Sequence, residues 1–195
     1  MKDFLENSEW VDWRNKRILE TARMIANGSK NKEEIAKKCF EFVRDEIKHS
    51  LDIKTDKVTC KASDVLAERT GFCFAKSHLL AALCRANGIP AGLCYQRTLI
   101  DQKNKKFCLH GLNVVYLEKY GWYRVDPRGN KPGICSDFCP PKEQLAFPAN
   151  NGEQPVYKPI LVKPLLSVVK ILTEKTTPDE VYRDLPDATE SEIVE

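Results

Sequence analysis

The sequence predicts an α+β domain in which N-terminal helices pack on an antiparallel β-sheet. Two observations carry this. Apolar residues recur at helical spacing through the first half of the chain, most clearly from Cys73 to Ala86. Three alternating stretches follow, 91–100, 108–117 and 121–125, joined by the short polar connectors 101–106 and 118–121. Short connectors of this kind join antiparallel neighbours.

Each element has a local reason. Residues 1–27 read as helical, with Phe4, Leu5, Ile18, Leu19, Ala22 and Ile25 apolar and Gly28 as the stop. Asn31 followed by Glu34 resembles a capping box. The helix behind it presents Ile35, Cys39, Phe42, Val43 and Ile47 on one face. Residues 51–61 read as a loop or short strand. Ser63 is the expected cap of a short helix reaching Arg69, and Gly71 the expected turn. The helix from Cys73 places Ala75, Leu79, Ala82, Leu83 and Ala86 along one side, and Asn87-Gly88 and Pro90 end it. Residues 127–160 are rich in Pro and Gly and read as irregular. The apolar stretch 160–172, interrupted by Pro164, reads as an edge strand or a helix.

At 195 residues and 42% hydrophobic, the chain can bury one full core. A net charge of +3 favours no particular partner. The residues from Thr173 onward carry eight acidic side chains against two basic ones, so the end of the chain is expected to fray or wrap the surface. No basic run is interleaved with aromatics, so no nucleic-acid partner is expected. No stretch approaches the ~18 apolar residues of a membrane helix, and the N-terminus lacks an apolar signal core. The expected setting is cytoplasmic, with no membrane partner. There the eight cysteines would be reduced, most of them small buried hydrophobes.

Three residues stand in order, each in the setting its chemistry needs. Cys73 follows Gly71-Phe72 and opens a helix, where the helix dipole favours a thiolate and the first N–H groups face a bound carbonyl oxygen. His110 heads the alternating stretch HGLNVVYL, where a rigid backbone aims the ring. His49, near the end of a charged helix, reads as exposed, and His78 as facing away from Cys73. Asp126 ends GWYRVDP, where a carboxylate holds an imidazole in one tautomer. Together they read as a Cys-His-Asp triad. Phe72 and Trp122 are the candidate substrate-binding residues. Trp122 reads either as a shield over the pair or as core.

The segments ASDVLAERTGFCFAKSHLLAALCRANGIPAGL (62–93), HGLNVVYL (110–117) and GWYRVDPRGN (121–130) resemble the transglutaminase-like superfamily of papain-like cysteine enzymes. The match rests on Gly-x-Cys opening a helix, a Leu-x-Arg-x-x-Gly-Ile-Pro-Ala exit at 83–91, a His-led strand, and a Gly-Trp…Asp-Pro strand. It covers about the middle third of the chain. The resemblance implies a papain-like fold, with Cys73 as nucleophile, His110 as general base and then acid, and Asp126 as the orienting carboxylate. Leu112 and Phe72 stand where many members carry an aromatic and a small or acidic residue, which reshapes the groove. Residues 1–160 are read as the catalytic domain, with its motifs at 60–130. Residues 161–195 are read as an acidic extension, packed or partly flexible.

The expected reaction is attack on an amide or ester carbonyl through an acyl-enzyme, on a peptide, protein or small amide substrate, with no cofactor. Water as acceptor makes a protease or amidase; an amine acceptor makes a transglutaminase. The compact chain favours hydrolysis. An arylamine acetyltransferase also uses Cys-His-Asp in this order, but its coenzyme A pocket has no counterpart in these residues. Two further readings are a non-catalytic module keeping the fold and a zinc site at Cys135-x-x-x-Cys139. The latter lacks a second pair of similar spacing, so no metal is expected. The second oxyanion donor is unassigned, and nothing in these residues indicates an oligomeric state.

Overall fold

The N-terminal helices surround one central helix, and an antiparallel sheet covers its other side. The computed structural model describes residues 1–147, 149 and 154–193. Helices α1 (Lys16–Ala26), α2 (Lys32–Glu46) and α3 (Ala62–Glu68) pack against α4 (Cys73–Ala86). Two short strands, β1 (Lys48–His49) and β2 (Thr70–Gly71), pair in parallel just before α4, setting His49 beside Gly71. The main sheet has the order β3 (Ala91–Asp101), β4 (Lys106–Leu117), β5 (Gly121–Val125), all antiparallel. A small hairpin, β6 (Asp137–Cys139) and β7 (Lys142–Gln144), follows, then α5 (Leu166–Glu174) and α6 (Pro178–Arg183).

Several local expectations change in the fold. Only Lys16–Ala26 of the first 27 residues is α-helical, because polar side chains there bond the backbone instead. Ser8 Oγ accepts from Val11 N–H (3.1 Å), Asn7 Oδ1 from Arg14 N–H (2.9 Å), and Asn15 caps α1 through Arg17 N–H (2.9 Å). Asn31 caps α2 as expected, while Glu34 reaches back to Lys30 N–H (2.9 Å). Ser63 is not a cap: α3 begins at Ala62, and Ser63 N–H donates to Asp12 (3.0 Å). The turn after α3 is made by Arg69 in the left-handed region (φ 56°), not by Gly71. Gly71 is needed for closeness: a Cβ there would lie 3.0 Å from Thr59 Oγ1 and 3.1 Å from Ala75 Cβ.

Helix α4 is not amphipathic. Every residue from Cys73 to Arg85 is buried, because helices cover one side and the sheet the other. Arg85, in the exit motif, donates from its buried guanidinium to the carbonyls of Ala91 (3.0 and 2.8 Å), Glu6 (2.9 Å) and Val162 (2.8 Å). It thereby ties three distant segments together.

The stretch 127–160 is less irregular than expected, since it contains the β6–β7 hairpin; positions 148 and 150–153 of it lie outside the described residues. The region 160–172 forms the helix and no edge strand, only a single bridge to the sheet. Leu161 bridges Leu93 at the sheet edge, and α5 follows Pro164. The C-terminal segment is part of the same core, burying Val168, Ile171, Leu172, Val181 and Ile193. Its acidic residues are used as caps and ion pairs; Glu195 lies outside the described residues.

Candidate active site

The close fit of α4 against β4 brings Cys73 to His110. Gly111 makes this possible: a Cβ there would sit 2.8 Å from Phe74 Cδ1 and 3.0 Å from Phe74 Cα. With no side chain in the way, Gly111 N–H donates to Cys73 Sγ at 3.5 Å. His110 is the fifth residue of β4 rather than its head, since the strand starts at Lys106. Its Nε2 donates to Asp126 Oδ2 at 2.8 Å, which leaves Nδ1 for the sulfur.

Asp126 directly follows β5 and is fully buried. Its carboxylate also accepts Ala146 N–H (3.0 Å) and Arg128 N–H (3.1 Å). Burial alone would raise its pKa, but the His110 charge and these donors hold it below the usual carboxylate range. Burial alone would lower the His110 pKa. The Asp126 charge, with the Cys73 sulfur beside the ring, outweighs that and pushes it up to about 10. The His110 ring is steadied by Phe147, edge to face at 4.9 Å.

Cys73 and His110 line one cavity of about 170 Å³. Phe72 forms part of its wall. Trp122 does not. It pairs with Tyr116, six residues along β4 from His110 and so ~20 Å away at ~3.3 Å per residue. There it packs edge to face on Phe4 (4.8 Å) and Tyr116 (5.6 Å). Of the five candidate residues, the structure therefore brings four to one place. His78 is buried elsewhere, its Nδ1 on Cys60 O (2.8 Å).

Other residues enter the cavity unannounced by the sequence reading. His49 is buried rather than exposed, because β1 pairs with β2 and lays the ring against Phe72, centroids 5.5 Å apart. Leu51 N–H donates to His49 Nδ1 (3.2 Å), so the neutral ring carries its proton on Nε2. Burial, then the Arg128 charge, holds its pKa well below the ordinary imidazole range. His49 is thus a neutral donor. The rest of the wall is mostly apolar, with Leu51, Ile100 and Phe147, and Tyr182 and Leu185 from the C-terminal segment, but Arg128 and Thr98 also line it. Parallel pairing of two-residue strands leaves no periodic signal, so nothing along the chain marks His49 as a neighbour of the Gly71-Phe72-Cys73 turn 22 residues away.

A family model described as the transglutaminase-like superfamily matches residues 20–127. The chain belongs to this superfamily. That match includes Cys73, His110 and Asp126. Among solved structures, the transglutaminase-like chain is similar to a putative cysteine protease from Cytophaga hutchinsonii, with 21% identity, a TM-score of 0.51, and coverage of 64% of this chain and 40% of that one. It is also similar to the periplasmic domain of TgpA from Pseudomonas aeruginosa, with 19% identity, a TM-score of 0.48, and coverage of 64% and 45%. The likeness to the first is one of fold, and this chain spans under half the length of either. A comparison with curated proteins found no match.

All eight cysteines are free thiols, six of them buried. Cys139 Sγ approaches Lys142 O (3.4 Å) and Cys135 Sγ approaches Gln144 Nε2 (3.4 Å). Among the described residues, no three His, Cys, Asp or Glu side chains are grouped for a metal. No helix among them is long and apolar enough to cross a membrane.

Proposed function

We propose that this transglutaminase-like chain is a thiol enzyme that hydrolyses a peptide or amide bond through an acyl-enzyme on Cys73. The observation that carries this is the 2.8 Å bond from His110 to a fully buried Asp126, in the same cavity as a cysteine at a helix start.

The roles follow from the chemistry. Cys73 Sγ attacks the carbonyl carbon as a thiolate, opposite a protonated His110. The oxyanion is held by Cys73 N–H, which as a first-turn donor has no intrahelical partner, and by His49 Nε2–H. His110 passes its proton to the leaving amine and the C–N bond breaks. Water then enters, gives its proton to His110, and releases the acid as the C–S bond breaks. Asp126 keeps the ring in its tautomer and stabilises its charge throughout. The apolar part of the wall suits an apolar group beside the scissile bond. A cytoplasmic setting belongs to the same reading, because eight free thiols suit a reducing compartment.

The test is alkylation by iodoacetamide across pH, mapped by peptide mass spectrometry, in wild type and His110→Ala. Selective modification of Cys73 well below pH 8, lost in His110→Ala, supports the reading. Reaction of Cys73 no faster than the other seven cysteines overturns it. Turnover of a fluorogenic amide with and without excess primary amine then separates hydrolysis from transfer: a new amide product would replace hydrolysis with transfer.

A further inference from the structure

We infer that a cationic subsite beside the thiol cavity receives a carboxylate of the substrate, so that the acyl donor is an acidic peptide or amide. This rests on the reading that Cys73 is the nucleophile.

The subsite is a cavity of about 400 Å³ where the end of α2 meets residues 128–131. Five basic side chains, Arg44, Lys48, Lys76, Arg128 and Lys131, line it against two carboxylates, Asp45 and Asp52. His49 and Arg128 line both this cavity and that of Cys73, so the two share a wall. A substrate whose carbonyl lies at Cys73 can place a carboxylate there.

The internal pairing leaves positive charge over. Arg44 forks onto Asp45 (2.7 and 2.8 Å) and also reaches Asp137, which stands outside the lining, at 3.3 Å. Asp52 is shared by Arg128 (2.5 and 3.1 Å) and Lys131 (2.5 Å). Among the described residues, Lys48 Nζ bonds only the Asp45 carbonyl (2.7 Å), and Lys76 Nζ only the carbonyls of Ile47 and Arg44. Among the described residues, neither lysine meets a carboxylate within ion-pair distance. Lys76 lies three positions after Cys73, on the same face of α4. Gly129 closes over it at φ +105°, its Cβ position 3.4 Å from Nζ. Burial pushes Lys76 down to about 7, and the Arg128 charge adds to the shift. An anion in the cavity would relieve that repulsion.

A side-chain carboxylate and a free α-carboxylate offer the same chemistry, and the experiment separates them. Three affinity labels react with Cys73 by thiolate displacement of iodide: iodoacetyl-glutamine amide (neutral), iodoacetyl-glutamate amide (side-chain carboxylate) and iodoacetyl-glutamine (α-carboxylate). Second-order rates at low salt are divided by those with glutathione. At least one anionic label is expected to label Cys73 about fivefold faster than the neutral one, the scale of one partly screened ion pair. Salt should weaken this preference. The exposed-lysine variant Lys48→Gln/Lys131→Gln should lose it, while Lys48→Arg/Lys131→Arg keeps it, with thermal melts confirming that both fold. Anionic labels no faster than the neutral one, or a preference surviving in the Gln variant, overturn the subsite alone. A neutral label that fails to select Cys73 overturns the thiol reading and the subsite with it.

Discussion

Leu109 N–H donates to the carbonyl of Pro186 across 2.7 Å, bonding the C-terminal segment to β4 one residue before His110. The same segment is held by Arg97, forked onto Asp187 (2.8 and 2.6 Å), and by Tyr157 Oη on Ala188 O (2.7 Å). These bonds set Tyr182 and Leu185 against the thiol cavity. The end of the chain is therefore one wall of the candidate active site.

That wall should set selectivity. Tyr182→Ala should reduce the preference for bulky apolar over acetyl esters, as a ratio of kcat/KM, by about tenfold. Tyr182 is partly exposed, so a melting curve should barely move. An unchanged ratio would mean that acyl groups rest elsewhere.

Gly111→Ala should be more damaging than its single methyl suggests. The new Cβ meets the backbone of α4 at Phe74, and neither element can yield without parting Cys73 from His110. We expect a loss of about 1–3 kcal/mol in urea unfolding. Amide turnover should fall about a hundredfold, as misplacement of reacting groups costs. Wild-type turnover in this variant would show that the close approach is dispensable.

His49→Phe should lower kcat about 10²–10³-fold with a smaller change in KM, as expected for a donor acting on the oxyanion. His49→Gln, which retains an N–H donor, should recover part of it. Equal activity in the Phe and Gln variants would assign His49 a packing role.

The charged pair should leave a signature in stability against pH. The His110 pKa is raised from 6.5 to about 10, so its contribution is complete below about pH 6.5 and is lost as pH rises through about 10. Asp126 is lowered, so its contribution is present above its ordinary value of 3.8 and is lost in acid. The difference in unfolding free energy between wild type and His110→Gln should therefore be flat just below pH 6.5 and shrink towards pH 10. A difference that grows with pH would mean that the folded ring is neutral.

Much of the site was legible because its parts sit in locally coded settings. Cys73 opens a helix bounded by turn residues, and Asp126 ends a short alternating run before Pro127. His49 reads as exposed because the charged helix before it suggests solvent, whereas pairing with Gly71 turns it inward. Of the two readings open for Trp122, packing prevails over shielding, because an aromatic near Asp126 in sequence can still lie along the strand, against Phe4.

By itself the sequence determined the α+β order, the start of α4, the three main strands and the residue types of the Cys-His-Asp set. Those depend on periodicity, turn residues and chemistry within a few positions. Only the tertiary structure decided that β1 brings His49 to Phe72, that Gly111 lets α4 reach β4, and that Tyr182 and Leu185 close the cavity. These are contacts between remote segments, selected by close packing and by the pairing of buried polar groups, and neither leaves a repeat along the chain.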